Sequence, residues 1–100
     1  MTTYRGPVHP GEILEEEFLK PLGLSRNALA MALGVPAQRI NEIANCRRAV
    51  TADTALRLAR YFGTSPRWWT NMQAAYDLRV AEQAVSVELE RIRPREPAAG

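Results

Sequence analysis

Apolar positions along the chain recur at helical spacing and are interrupted at short intervals by glycine and proline. After Pro10-Gly11, Leu14, Phe18 and Leu22 return every four residues with glutamates on the other faces, which predicts an amphipathic helix. Acidic side chains near its start suit the positive helix N-terminus, and Pro21 and Gly23 close it. Ser25 is a good N-cap for a second helix ending at Gly34, with Leu24 and Leu29 placed for a hydrophobic staple. Pro36 begins a third helix, running to about Asn45. Thr51 caps a fourth over 52–62, stopped by Gly63. Ser65 and Pro66 open a fifth, as cap and first helical residue, and nothing breaks it until about Glu82–Ala84. The fragment Val85–Leu89 alternates and fits either a short strand or a helix continuation. From Pro94 onward, Pro, Ala, Gly and charge suggest a frayed tail. The expected architecture is an all-α domain of five short helices over residues 1–84, with a partly disordered C-terminal extension over 85–100.

Composition narrows this further. One hundred residues, 46% of them apolar and 24% charged, make one small globular domain, for which dimerisation is a natural source of added stability. No apolar run approaches the ~18 residues of a spanning helix, and the acidic stretch 12–17 argues against a signal peptide, so a cytoplasmic protein without a membrane partner is expected. A single cysteine, Cys46, and a single histidine, His9, leave no disulfide framework and no Cys- or His-cluster metal site. No cofactor is expected, since no Gly-rich phosphate loop is present, and no enzyme, since no nucleophile–base pair is present. Net charge is only +2, but residues 26–60 carry Arg26, Arg39, Arg47, Arg48, Arg57 and Arg60 against Glu42 and Asp53. The middle of the chain is therefore the candidate surface for a polyanion.

Within that basic stretch, residues 26–45 read as helix, tight turn, helix. Ala30 is small where two helices approach, Gly34 sits where the turn needs a positive φ, and Leu29, Leu33, Val35, Ile40 and Ile43 fill the angle between them. This is the pattern of a helix-turn-helix; a plain pair of packed helices is the rival. The outer face of the third helix separates the two. At about 100° per residue with Ile40 at zero, Ile43 and Ala44 point inward, whereas Gln38, Glu42 and Asn45 point outward with Arg39 and Asn41 flanking them. Amides and arginine suit base edges: Gln and Asn bind adenine, Arg binds guanine, and Glu42 can accept from a cytosine amine. Ala37, Gln38, Arg39, Asn41, Glu42 and Asn45 are thus the candidate base contacts, and Arg26, Arg47 and Arg48 the candidate phosphate contacts.

Ala30 through Arg48, followed by Val50–Ala59, resembles the HigA (VapI-type) antitoxins of the lambda-repressor-like, XRE-type helix-turn-helix group. The opening His9-Pro10-Gly11-Glu12-Ile13-Leu14 and the later Gly63-Thr64-Ser65-Pro66, Trp69, Asn71-Met72-Gln73 and Tyr76-Asp77-Leu78 carry the same resemblance, which covers residues 8–84. It implies a five-helix lambda-repressor-like domain, a homodimer, and repression of its own toxin–antitoxin operon through a palindromic double-stranded operator. It also implies a partner, a HigB-type, RelE-like toxin that cuts mRNA. Two residues depart from the pattern. Cys46 stands where similar proteins usually have Gly, so it either takes a strained left-handed conformation or reshapes the loop carrying Arg47 and Arg48. Pro36 replaces the usual polar residue, losing a side-chain cap while presetting φ.

The other conspicuous residues read more plainly. Glu15, Glu16 and Glu17 point different ways on one helix and suit a solvated face better than acid–base chemistry. His9 has no partner at catalytic or metal-ligand spacing, which leaves a role in the N-terminal turn. Cys46 lies beside two arginines that would favour a thiolate, so a redox role stands against a bland substitution. Of the consecutive Trp68 and Trp69, one is expected in the core with Phe62 and Met72 and the other at a subunit or partner contact. Trp68, Trp69, Met72, Tyr76 and Val80 are the candidate dimer residues. Beside the antitoxin and autorepressor stand a toxin-neutralising module whose DNA binding is vestigial and a stand-alone transcriptional regulator with no toxin. A small basic reading frame abutting the gene separates the antitoxin readings from the last.

Overall fold

His9 starts the first helix by accepting the Gly11 N–H on its Nδ1 at 2.8 Å, with Pro10 as the first helical residue. In this computed structural model, which describes residues 7–96, helix α1 spans residues 10–22. It is α-helical over Pro10–Ile13, π-helical over Leu14–Leu19 and α-helical again over Lys20–Leu22. The Lys20 N–H accordingly bonds the Glu15 carbonyl, five residues back. A π turn holds one more residue than an α turn. The inward line therefore steps from Leu14 to Leu19, both buried, instead of following the expected Leu14–Phe18–Leu22 stripe. Phe18 is half-buried against the core and Leu22 is 63% exposed.

The following helices form where the capping residues place them. Helix α2, Arg26–Leu33, starts at Ser25, whose Oγ accepts from the Ala28 N–H at 3.0 Å. Helix α3 is Ala37–Ala44, with Pro36 extended at the cap position and giving no side-chain bond. Thr51 caps helix α4, Ala52–Phe62, and Ser65 caps helix α5, Pro66–Ala84. Val85, with φ −116 and ψ 21, breaks α5, and a sixth helix, α6, follows over Ser86–Glu90. The five helices expected over residues 1–84 are thus present, and the alternating Val85–Leu89 fragment of the C-terminal extension is helical. The fraying expected beyond Pro94 concerns, for 97–100, positions outside the described residues.

Leu14, Leu29, Ile40, Ile43 and Leu58 are fully buried around Trp69. Each such aliphatic side chain contributes about 1.5–3 kcal/mol by leaving water. Trp69 keeps its polar edge satisfied by donating Nε1–H to Thr64 Oγ1 at 2.8 Å. Trp69 is therefore core, which removes it from the candidate dimer contacts; Trp68 is the half-exposed one of the pair. Gly11 packs so closely on α3 that a Cβ there would overlap the Ile43 carbonyl, and this seats the start of α1 on the end of α3. Beyond the body of the fold, α6 and the end of α5 extend an outline of 56 × 32 × 27 Å.

Candidate nucleic-acid interface

The turn before α3 is built from backbone first. Gly34 ends α2 at φ 72 and ψ 37, and the Val35 N–H returns to the Ala30 carbonyl at 3.0 Å. Leu33, Ile40, Ile43 and Ala44 are buried in the angle between the helices, which leaves the opposite face of α3 in solvent. Gln38, Asn41 and Asn45 are exposed on that face, and Arg39 and Glu42 are half-buried beside it. Ala37 does not join them. It is half-buried against the core at the inner edge of α3, on the Ile40 side, because three residues turn the helix by only about 60° short of a full circle.

The polar groups on this face are bonded to one another. Glu42 accepts from Gln38 Nε2 on one carboxylate oxygen at 2.9 Å and from Arg48 Nη1 on the other at 3.1 Å. Gln38 still has its carbonyl oxygen and its second N–H, the pair an adenine edge needs. Arg26 donates Nε–H to Glu15 at 3.1 Å and Nη1–H to Asn45 Oδ1 at 3.0 Å, so it ties α1 to the end of α3. Arg39 donates to Asp53 Oδ2 at 2.8 Å, and Arg57 donates to the same oxygen at 3.1 Å. Hydrogen bonds from Arg57 and Arg39 hold the Asp53 carboxyl below its ordinary value.

The loop after α3 carries Arg47 and Arg48. Cys46 takes φ 63, the left-handed conformation, so the loop keeps the geometry a glycine would give it. The Cys46 N–H bonds the Ile43 carbonyl at 2.9 Å and the Arg47 N–H bonds the Glu42 carbonyl at 2.8 Å, which together close a Schellman turn. The Arg47 side chain has no intramolecular partner among the described residues and is exposed. Partial burial and the nearby Glu12 carboxylate push the Cys46 thiol up, opposite to the effect expected of the two arginines.

Two residues that sequence reasoning left without this role anchor the loop. Gln73 of α5 is buried, accepts the Val50 N–H on Oε1 at 2.8 Å and donates to Asp77 at 2.9 Å. His9 is buried edge-on to Tyr76, with ring centroids 4.9 Å apart, and lies by the Arg48 backbone. Burial lowers its pKa below 6.5, and Asp77 and the Arg48 backbone offset this only in part. A buried amide pointing at an unpaired loop N–H has no signature in a linear pattern. Of the remaining candidate dimer residues, Met72 and Tyr76 are half-buried, whereas Trp68 and Val80 are each 41% exposed.

A profile of the Helix-turn-helix family (HTH_3) matches residues 16–69. Virulence-associated protein I of Dichelobacter nodosus is 64% identical over 76 residues, 76% of this chain and 70% of the relative. Antitoxin HigA-1 of Vibrio cholerae is 37% identical over 92 residues, 92% of this chain and 87% of the relative. A Pseudomonas aeruginosa antitoxin HigA, solved with the higBA promoter, superposes with a TM-score of 0.87 at 43% identity, covering 91% of this chain and 99% of that one.

Proposed function

The chain belongs to the helix-turn-helix family and, within it, to the HigA antitoxins, and from this we propose that it is an antitoxin that binds operator DNA and represses its own operon. The observation that carries the reading is the α3 face: exposed amides beside arginines, held rigidly on the outer side of a tight turn, with Arg47 and Arg48 on the adjoining loop. Gln38, Asn41, Asn45 and Arg39 contact base edges, while Arg47, Arg48 and Arg26 contact phosphates. Glu42 serves chiefly as the acceptor that orients Gln38 and Arg48. A homodimer places one α3 in each of two successive major grooves, their centres roughly 34 Å apart, which calls for a palindromic site. The second copy covers the exposed apolar side chains of α5, with Trp68 and Val80 at the contact and Met72 and Tyr76 behind them. The protein partner is a HigB-type, RelE-like toxin.

On this reading the chain acts by binding operator DNA and a protein partner. Its polar clusters are hydrogen-bond networks on a helix face, and among the described residues no group of three His, Cys, Asp or Glu side chains gathers where it could hold a metal. No helix among the described residues is long and apolar enough to cross a membrane. Titration of the full chain against a duplex from upstream of its own gene, beside a scrambled duplex at the same salt, tests the reading. Binding two chains per palindrome with clear preference for the upstream sequence is expected; equal affinity for both duplexes would overturn it.

A further inference from the structure

We propose that Asp53 and Arg57 are positioning residues that hold Arg39 in the orientation in which it reads a base, and so set specificity at one base pair of each half-site. The proposal rests on the reading that α3 enters the major groove. Asp53 and Arg57 belong to α4 and Arg39 to the first turn of α3, so only the fold brings them together. Arg57 is fixed first. Its Nη1–H bonds the carbonyl of Leu33 at 2.8 Å, at the end of α2, where a helix leaves carbonyls without partners. Its Nε–H bonds Asp53 Oδ2 at 3.1 Å, and that oxygen accepts from Arg39 Nη1 at 2.8 Å. An unbroken path of hydrogen bonds thus runs from the backbone beside the tight turn, through Arg57 and Asp53, to Arg39.

Three features say that the path serves recognition as well as the fold. Arg39 lies near the N-terminal end of α3, the end that contacts base edges in this docking mode. Its guanidinium has five N–H groups, and one bond to Asp53 leaves enough for the two parallel bonds a guanine edge accepts. A flexible arginine surrenders side-chain freedom on binding, and one already held surrenders less. Secondly, Asp53 is an exposed carboxylate on a face that must approach a polyanion. Negative charge there opposes binding of every duplex alike, so affinity gives no reason for it, whereas orientation of Arg39 does. Hydrogen bonds from the two arginines lower its pKa further below the ordinary carboxylate value. Thirdly, a cleft of about 390 Å³ lined by Arg39, Arg48, Thr51 and Arg57 adjoins the carboxylate and leaves the guanidinium accessible from solvent.

The test selects from a pool of duplexes with a randomised centre, sequenced before and after binding to the full-length wild type, Arg39→Ala, Asp53→Ala, Asp53→Asn and Arg39→Ala/Asp53→Ala. Arg39→Ala is expected to lose base preference at one position of each half-site. Asp53→Ala should lower discrimination at that same position about 10-fold, within what a bidentate base contact supplies. Its affinity for non-matching duplexes should stay equal or rise, and the double variant should lose nothing beyond Arg39→Ala. Asp53→Asn keeps an acceptor without the charge and should retain part of the preference, which guards against misfolding of the alanine variant. An Asp53→Ala profile identical to wild type overturns the proposal, as does a uniform loss across all duplexes, which would make Arg39 and Asp53 part of a phosphate seat. A wild type that enriches no motif overturns instead the reading of α3, and the proposal with it.

Discussion

Cys46 occupies a left-handed position at φ 63 that costs an L-residue roughly 1–2 kcal/mol, while a glycine there gives back part of that through greater freedom in the unfolded chain. Cys46→Gly should therefore stabilise the fold by about 0.5–1 kcal/mol, read as a higher urea midpoint at unchanged slope. Gln38 shows the opposite separation. Its side chain is exposed and bonded only to Glu42, so Gln38→Ala should shift stability by less than about 0.5 kcal/mol. Operator affinity should nevertheless fall by about 1–3 kcal/mol with scrambled duplex unaffected, in fluorescence titrations at one salt concentration. His9 carries a pH dependence of definite sign. Its folded pKa lies below 6.5, so between that value and 6.5 the unfolded chain binds more protons. The stability it contributes is complete above pH 6.5 and is lost as pH falls through the folded pKa. Unfolding midpoints of wild type should drop across that window, and those of His9→Ala, already lower at pH 7 through the lost cap, should change less.

At the scale of elements, recognition depends on how α3 is seated. Its inner face is fixed by Ile40, Ile43 and Ala44, its start by the Gly34 turn and its end by α1, which meets the Ile43 carbonyl at Gly11. Backbone against backbone leaves no side chain to move aside. Gly11→Ala should cost about 1–3 kcal/mol of stability by forcing the two helices apart. It should also weaken operator binding, although Gly11 faces away from the DNA-reading side. Thermal unfolding together with the same DNA titration checks both; unchanged stability would mean that α1 and α3 can separate freely. The π turn in α1 has a comparable consequence. By moving the inward line to Leu19, it gives α1 two buried leucines, Leu14 and Leu19, and leaves Leu22 in solvent.

For the molecule as a whole, the question is what covers the apolar side chains that the single chain leaves out. Trp68, Leu78, Val80, Val85, Leu89 and Ile92 are all exposed along α5, α6 and the segment beyond. A short helix such as α6, capped by no side chain and packed on little of its own chain, gains most from a second copy. The full chain should sediment as a dimer at micromolar concentration, and Val80→Asp should shift it toward monomer while the circular dichroism of the fold is retained. Operator affinity should fall with it, because the two half-sites are then bound by separate chains and not by one linked pair.

Helix limits, caps and the recognition turn were legible in the sequence because they are local. Ser25, Thr51 and Ser65 bond N–H groups two or three residues away, and Gly34 supplies a conformation that depends on its own backbone alone. Gln38 and Asn45, expected outward, and Asn41, expected beside them, were legible for the same reason, since helical periodicity fixes which side faces the core; Glu42, expected outward, is half-buried between Gln38 and Arg48. The exceptions have different causes. Ala37 belongs to the core side by that same periodicity, about 60° from Ile40; Trp69 is enclosed by this chain; and one π turn redirects α1. Tertiary structure alone decided the contacts between residues distant in sequence: Arg57 on Leu33, Asp53 on Arg39 and Gln73 on Val50. Each is a hydrogen bond whose partners are set by how helices cross, and no spacing along the chain encodes a crossing.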